Sequence, residues 1–82
     1  MFSNKASNGR NNICGAQIAK LRKAQGKSQR QLADALQLEG LDVDKNAIQR
    51  IEAGKRFVTD IELVYLTKVL QVSYDDLLNE SV

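Results

Sequence analysis

Three times in 82 residues a hydroxyl side chain stands just ahead of a run whose apolar members recur at three- and four-residue steps. Ser28 with Gln31, and Thr59 with Glu62, have the spacing of capping boxes. In such a box the hydroxyl accepts from a free amide of the first turn, and the side chain three residues on reaches back. Ser73 ahead of Tyr74-Asp75-Asp76 offers a third cap, with an acidic first turn that suits the helix dipole. Asp44 is a good cap for a run starting at Lys45, and Gly26 and Gly54 read as helix stops. These signals predict helix 1 from Ile13 to Gln25, helix 2 from Gln29 to Leu36 or a little beyond, and helix 3 from Lys45 to Ala53. Two more helices follow Thr59 and Ser73, the fourth with Leu63, Leu66, Val69 and Leu70 as its core stripe, the fifth closing the core with Leu77 and Leu78. With no proline and no alternating apolar run, the expected fold class is all-α with five helices.

A chain of this length is one domain. Residues 1–11 are polar, aperiodic and rich in Asn, and read as a disordered arm ahead of a domain over residues 12–80. Lys5 and Arg10 would let that arm touch a polyanion. No stretch has the roughly 18 apolar residues of a membrane span, and the first dozen residues lack the apolar core of a secretion signal. A cytoplasmic location is therefore expected. Cys14 is the one cysteine and histidine is absent, so neither an intrachain disulfide nor a common zinc site is expected, and no cofactor. No nucleophile–histidine pair, Gly-rich phosphate loop or cleft carboxylate pair suggests an enzyme. Asp75 and Asp76 belong to the start of a helix.

Charge is divided along the chain. Residues 1–56 carry eleven basic and five acidic side chains, a balance of +6, whereas residues 57–82 carry one basic and five acidic, a balance of −4. Such a chain suits a partner that is a polyanion on one side. Within the basic part, Lys45, Asn46, Gln49 and Arg50 fall on the side of helix 3 opposite Ile48 and Ile51. Arg and Lys match the acceptors of guanine, and Asn and Gln match the donor–acceptor edge of adenine. The same residue types also occur on ordinary solvated helix faces, so composition by itself leaves both readings open.

The order of the pieces decides between them. Ile18-x-x-Leu21-Arg22 leads to Gly26-Lys27-Ser28-Gln29-x-x-Leu32-Ala33, then Ile48-x-x-Ile51-Glu52-x-Gly54-Lys55-Arg56, then Leu63-x-x-Leu66-x-x-x-Leu70-x-Val72-Ser73-x-x-x-Leu77-Leu78. In this the chain resembles the XRE family of helix-turn-helix proteins, the phage repressors and Cro. The resemblance implies a lambda-repressor-like DNA-binding domain whose helix-turn-helix is made by helices 2 and 3. It implies that Lys45, Asn46, Gln49 and Arg50 read bases, and that Gln29, with Ser28 beside it, and Lys55 and Arg56 hold phosphates. It also implies a structural ion pair between Arg22 and Glu52, which keeps a carboxylate in the DNA-facing motif from repelling phosphate.

Two features depart from the family pattern. The segment Gln37–Asp42 is longer than the family's tight turn, which leaves the angle between helices 2 and 3 open. Phe57-Val58 stands where relatives often carry a proline, and Phe57 reads as a core or loop anchor. Tyr65 and Tyr74 are candidates for a dimer contact or for partial burial. The expected function is operator binding as a homodimer to double-stranded DNA, with repression favoured because the length leaves no room for a ligand-sensing or activation domain. The rival readings are a protein-interaction module on the same fold, such as an antitoxin or adaptor, and a non-specific nucleic-acid binder.

Overall fold

The computed structural model describes Lys5 and residues 8–79. Five helices follow one another: α1 Gly15–Ala24, α2 Gln29–Leu38, α3 Lys45–Glu52, α4 Asp60–Leu70 and α5 Tyr74–Leu78. There is no strand among the described residues. Ser28, Thr59 and Ser73 each close a full capping box, and the Asp44 carboxylate accepts from the Ala47 amide at 2.8 Å. These four caps set the starts of α2 to α5, each by an interaction that spans only three residues.

The start of α1 differs from the expectation. It begins at Gly15, with Cys14 at the cap position making no side-chain cap bond, and the Gly15 amide donates instead to Asn12 Oδ1 at 2.8 Å. Ile13 is left on a bend and exposed. The polar segment expected to be loose is bonded at its end, since Arg10 and Asn11 both hydrogen-bond to the last turn of α3 and the loop after it. Residues 1–4, 6 and 7 of the expected arm lie outside the described residues.

The core is drawn from every helix: Ile18 from α1, Leu32, Ala33 and Leu36 from α2, Ile48 and Ile51 from α3, Leu66 and Leu70 from α4 and Leu77 from α5. Burying each Leu or Ile side chain among these contributes roughly 1.5–3 kcal/mol before the entropy of ordering it. Leu78 does not join them and is 36% exposed, because α5 turns only one face inward over its five residues. Cys14 is buried in the same core, and that burial pushes its thiol up to about 11, so it stays neutral and unreactive.

The long turn resolves into two parts. Gln37 and Leu38 extend α2 by half a turn, and the Leu41 amide donates back to the Leu36 carbonyl at 3.0 Å. Val43 is then buried, and Gln37 Nε2 donates to its carbonyl at 2.6 Å. Of the segment Gln37–Asp42 only Leu41 packs against the core, and the rest stays exposed, Leu38 at 89%. Glu39 reaches Lys68 on α4 at 3.2 Å, an exposed pair of small energetic weight.

Candidate nucleic-acid interface

At about 100° per residue, Lys45, Asn46, Gln49 and Arg50 occupy about 140° of the circumference of α3. Ile48 and Ile51 occupy the opposite side and are buried. All four polar side chains are exposed, and none has a hydrogen bond or ion pair among the described residues. Their donors and acceptors are uncommitted, and the helix behind them is held by its core contacts. Lys55 projects from the loop that follows and is exposed as well.

The other residues expected at the interface are already engaged. Ser28 is exposed, and its hydroxyl accepts from the Gln31 amide at 3.0 Å. Gln29 is half-buried and donates Nε2 to Glu52 Oε1 at 3.0 Å. The same carboxylate takes a two-pronged contact from Arg22, with Nε to Oε2 at 2.7 Å and Nη2 to Oε1 at 3.0 Å. Arg22 Nη1 donates further to the Lys27 carbonyl at 2.7 Å. The hydrogen bonds that Arg22 donates to Glu52 raise its guanidinium above its ordinary value despite burial. One carboxylate therefore ties α1, the start of α2 and the end of α3 into a single unit. It also fixes the orientation of the Gln29 amide at a helix start whose N–H groups favour an anion.

Arg56 is not a free cation. It forks onto Glu62, Nη1 to Oε1 at 3.0 Å and Nη2 to Oε2 at 2.8 Å. Glu62 is also the N3 side chain of the α4 capping box, accepting from the Thr59 amide at 2.9 Å. Burial pushes the Glu62 carboxyl up, but the hydrogen bonds from Arg56 and Thr59 outweigh it and hold the group below its ordinary value. Of the two basic residues after Gly54, only Lys55 keeps its charge free for another molecule. Phe57, expected to anchor the loop, is 55% exposed, and with Arg56 bonded inward the loop holds its place without that ring.

Sequence reasoning overlooked Arg10, Asn11 and Asn12, which bond to the carbonyls at the end of α3. No spacing rule points to them, because their partners lie about forty residues away (sequence separations of 42, 44 and 44). Among the described residues no group of three His, Cys, Asp or Glu is placed to hold a metal, and no helix is long and apolar enough to cross a membrane.

A helix-turn-helix family model matches residues 18–77, which takes in all of α2 to α4 and most of α1 and α5. The chain belongs to the XRE-type helix-turn-helix family. The fold agrees with that of a solved relative, the restriction-modification controller protein C.AhdI from Aeromonas hydrophila. The two are 27% identical and superpose with a TM-score of 0.67, over 77% of this chain and 84% of that one. No curated protein matches the chain. This helix-turn-helix protein is a DNA-binding transcription regulator, built of five helices with α2 and α3 forming the motif.

Proposed function

We propose that the protein is a repressor that binds an operator as a homodimer, with α3 of each copy in the major groove. The observation that carries this reading is the uncommitted arc of Lys45, Asn46, Gln49 and Arg50 on a helix whose opposite side is fixed in the core. These four side chains read bases, and Lys55 and the start of α2 at Ser28 and Gln29 hold phosphates. Arg56 serves as a backbone-gripping residue only through the edge its pairing with Glu62 leaves open. Two copies of α3 in successive grooves stand about 34–36 Å apart, which asks for a two-fold symmetric site.

The second copy fits against an apolar surface beside the motif. Phe57, Ile61 and Val64 are all at least half exposed, and Ile61 and Val64 stand one turn apart on α4. Tyr74, 49% exposed on α5, extends the set of candidates. A DNA target favours a cytoplasmic location. The likeness to a restriction-modification controller makes DNA from a restriction-modification locus the first natural duplex to try.

Anisotropy titration of labelled duplexes, random and enriched from a randomised pool, tests the reading. A regulator prefers the enriched duplex and loses affinity steeply with salt, because each phosphate contact releases counterions. Lys55→Ala weakens both duplexes alike and lowers the salt slope by about one. A protein-interaction module on this fold would instead show no preference, and neither Lys55→Ala nor Arg50→Ala would change its affinity for DNA.

A further inference from the structure

Arg10, Asn11 and Asn12 lie ahead of the span matched to the family, which begins at residue 18. Together they take the carbonyls at the end of α3 and in the loop that carries Lys55. Arg10 Nη2 donates to the Glu52 carbonyl at 2.6 Å. The Asn11 amide donates to the Gly54 carbonyl at 2.8 Å, and Asn11 Nδ2 to the Lys55 carbonyl at 3.0 Å. Asn12 Nδ2 donates to two carbonyls, that of Ile51 at 3.0 Å and that of Arg56 at 2.7 Å. Carbonyls at a helix end lack intrahelical partners and must find others. Here the carbonyls of Ile51 and Glu52 in the last turn, and three more in the loop after it, are met by three consecutive residues from near the other end of the chain.

The backbone is shaped for this approach. A Cβ on Gly15 would overlap the Ile51 carbonyl oxygen, and one on Gly54 would come within 2.6 Å of the Arg10 guanidinium carbon. Gly54 also has φ +75°, a conformation that side chains disfavour. Two amides of the same loop are satisfied from within, that of Gly54 by the Ile51 carbonyl at 3.0 Å and that of Lys55 by the Arg50 carbonyl at 2.9 Å. Amides and carbonyls together leave the loop little freedom.

We propose that Arg10, Asn11 and Asn12 are positioning residues: a strap that sets where Lys55 projects, and so controls phosphate binding from a segment outside the matched family core. This rests on the DNA-binding reading above. A residue that holds a charge in place lowers the entropy lost when that charge meets its partner. The strap therefore serves binding as well as folding.

Asn11→Ala is the discriminating variant, because it alters no charge. It removes the donor to Lys55 and, with it, a buried Oδ1 that has no hydrogen-bond partner among the described residues. Loss of an unpaired buried acceptor offsets loss of the bond, so the fold is largely spared. In the free variant, the Gly54 and Lys55 amides should exchange with solvent about tenfold faster, while those of Leu36 and Ile48 keep their protection. On a labelled duplex enriched by the unaltered protein, affinity should fall roughly five- to tenfold, within the range of one hydrogen bond. The slope of log K against log salt should shrink by about 0.9, the signature of one lost phosphate contact. In a Lys55→Ala background Asn11→Ala should cost nothing more, since the two act through one contact.

Unaltered affinity and slope for Asn11→Ala would overturn the strap. So would losses that add in full to those of Lys55→Ala, or a lower melting temperature with the slope intact. Failure of the unaltered protein to enrich any duplex would instead overturn the DNA-binding reading, and the loop's exchange rates would then decide alone whether the strap holds it.

Discussion

The outer face of α3 and its last turn lie within one eight-residue helix and are built in opposite ways. On the outer face, the side chains of Lys45, Asn46, Gln49 and Arg50 make no hydrogen bond or ion pair among the described residues. At the last turn, Ile51 is buried, Glu52 is held by Arg22 and Gln29, and the carbonyls of both are taken by Asn12 and Arg10. The contrast shows how so short a helix serves recognition. Eight residues are too few to be a stable helix alone. The polar groups that read a partner must stay unpaired, so rigidity has to be imported from the turn, the caps and the core.

The contrast breaks most severely at Glu52. Glu52→Ala leaves the Arg22 guanidinium unpaired in a site where both side chains are under one-tenth exposed. Removing one member of such a pair costs about 3–5 kcal/mol. Urea unfolding should show a midpoint well below that of the unaltered protein. A midpoint that hardly moves would mean that the pair ties nothing together.

Arg50→Ala touches only the free face. It should cost about 1–3 kcal/mol of binding to a preferred duplex and relax the preference at one base pair, with an unchanged melting temperature. A fall in stability of similar size would show that the face is engaged internally after all.

Acid sharpens the comparison at the loop after α3. The Glu62 carboxyl is held below its ordinary value of 4.5, so its contribution is complete above that pH and disappears as the pH falls through the lower folded value. Glu62→Gln should therefore unfold with a flatter pH profile below about 4.5 and lose stability at neutral pH, as followed by circular dichroism. An acid limb as steep as that of the unaltered protein would assign it to other carboxylates.

The smallest effect is expected far from α3. Gln71 ends α4 in the left-handed region at φ +57°, where relief of side-chain strain favours glycine. Gln71→Gly should gain about 0.5–1 kcal/mol in thermal unfolding, net of the entropy glycine adds to the unfolded chain, and leave DNA affinity alone.

Helix starts were legible because a cap is a local device. Ser28, Asp44, Thr59 and Ser73 each bond three residues ahead, and the sequence displays both partners side by side. The buried stripes of α2 and α3 were legible through their period. The supports of α3 were not. Asn12 bonds the start of α1 with one end of its amide and the end of α3 with the other, and only the fold brings those helices together. Arg56 and Glu62 are six apart with a bend between them, so no helical spacing advertised the fork that removes Arg56 from the free cations. The Arg22–Glu52 pair, thirty residues apart, was accessible only through resemblance to a family. Apolar character misled at Phe57 and Leu78, since an apolar residue faces outward wherever its backbone does.

Isotope-labelled protein titrated with a duplex enriched from a randomised pool gives the most direct answer, read as amide and side-chain shift changes along the chain. Large changes at Lys45, Asn46, Gln49, Arg50 and Lys55, with α5 undisturbed apart from a pairing contact near Tyr74, are the result expected of a groove-reading α3. Changes centred on α4 and α5 while the outer face of α3 keeps its free-state shifts would contradict it.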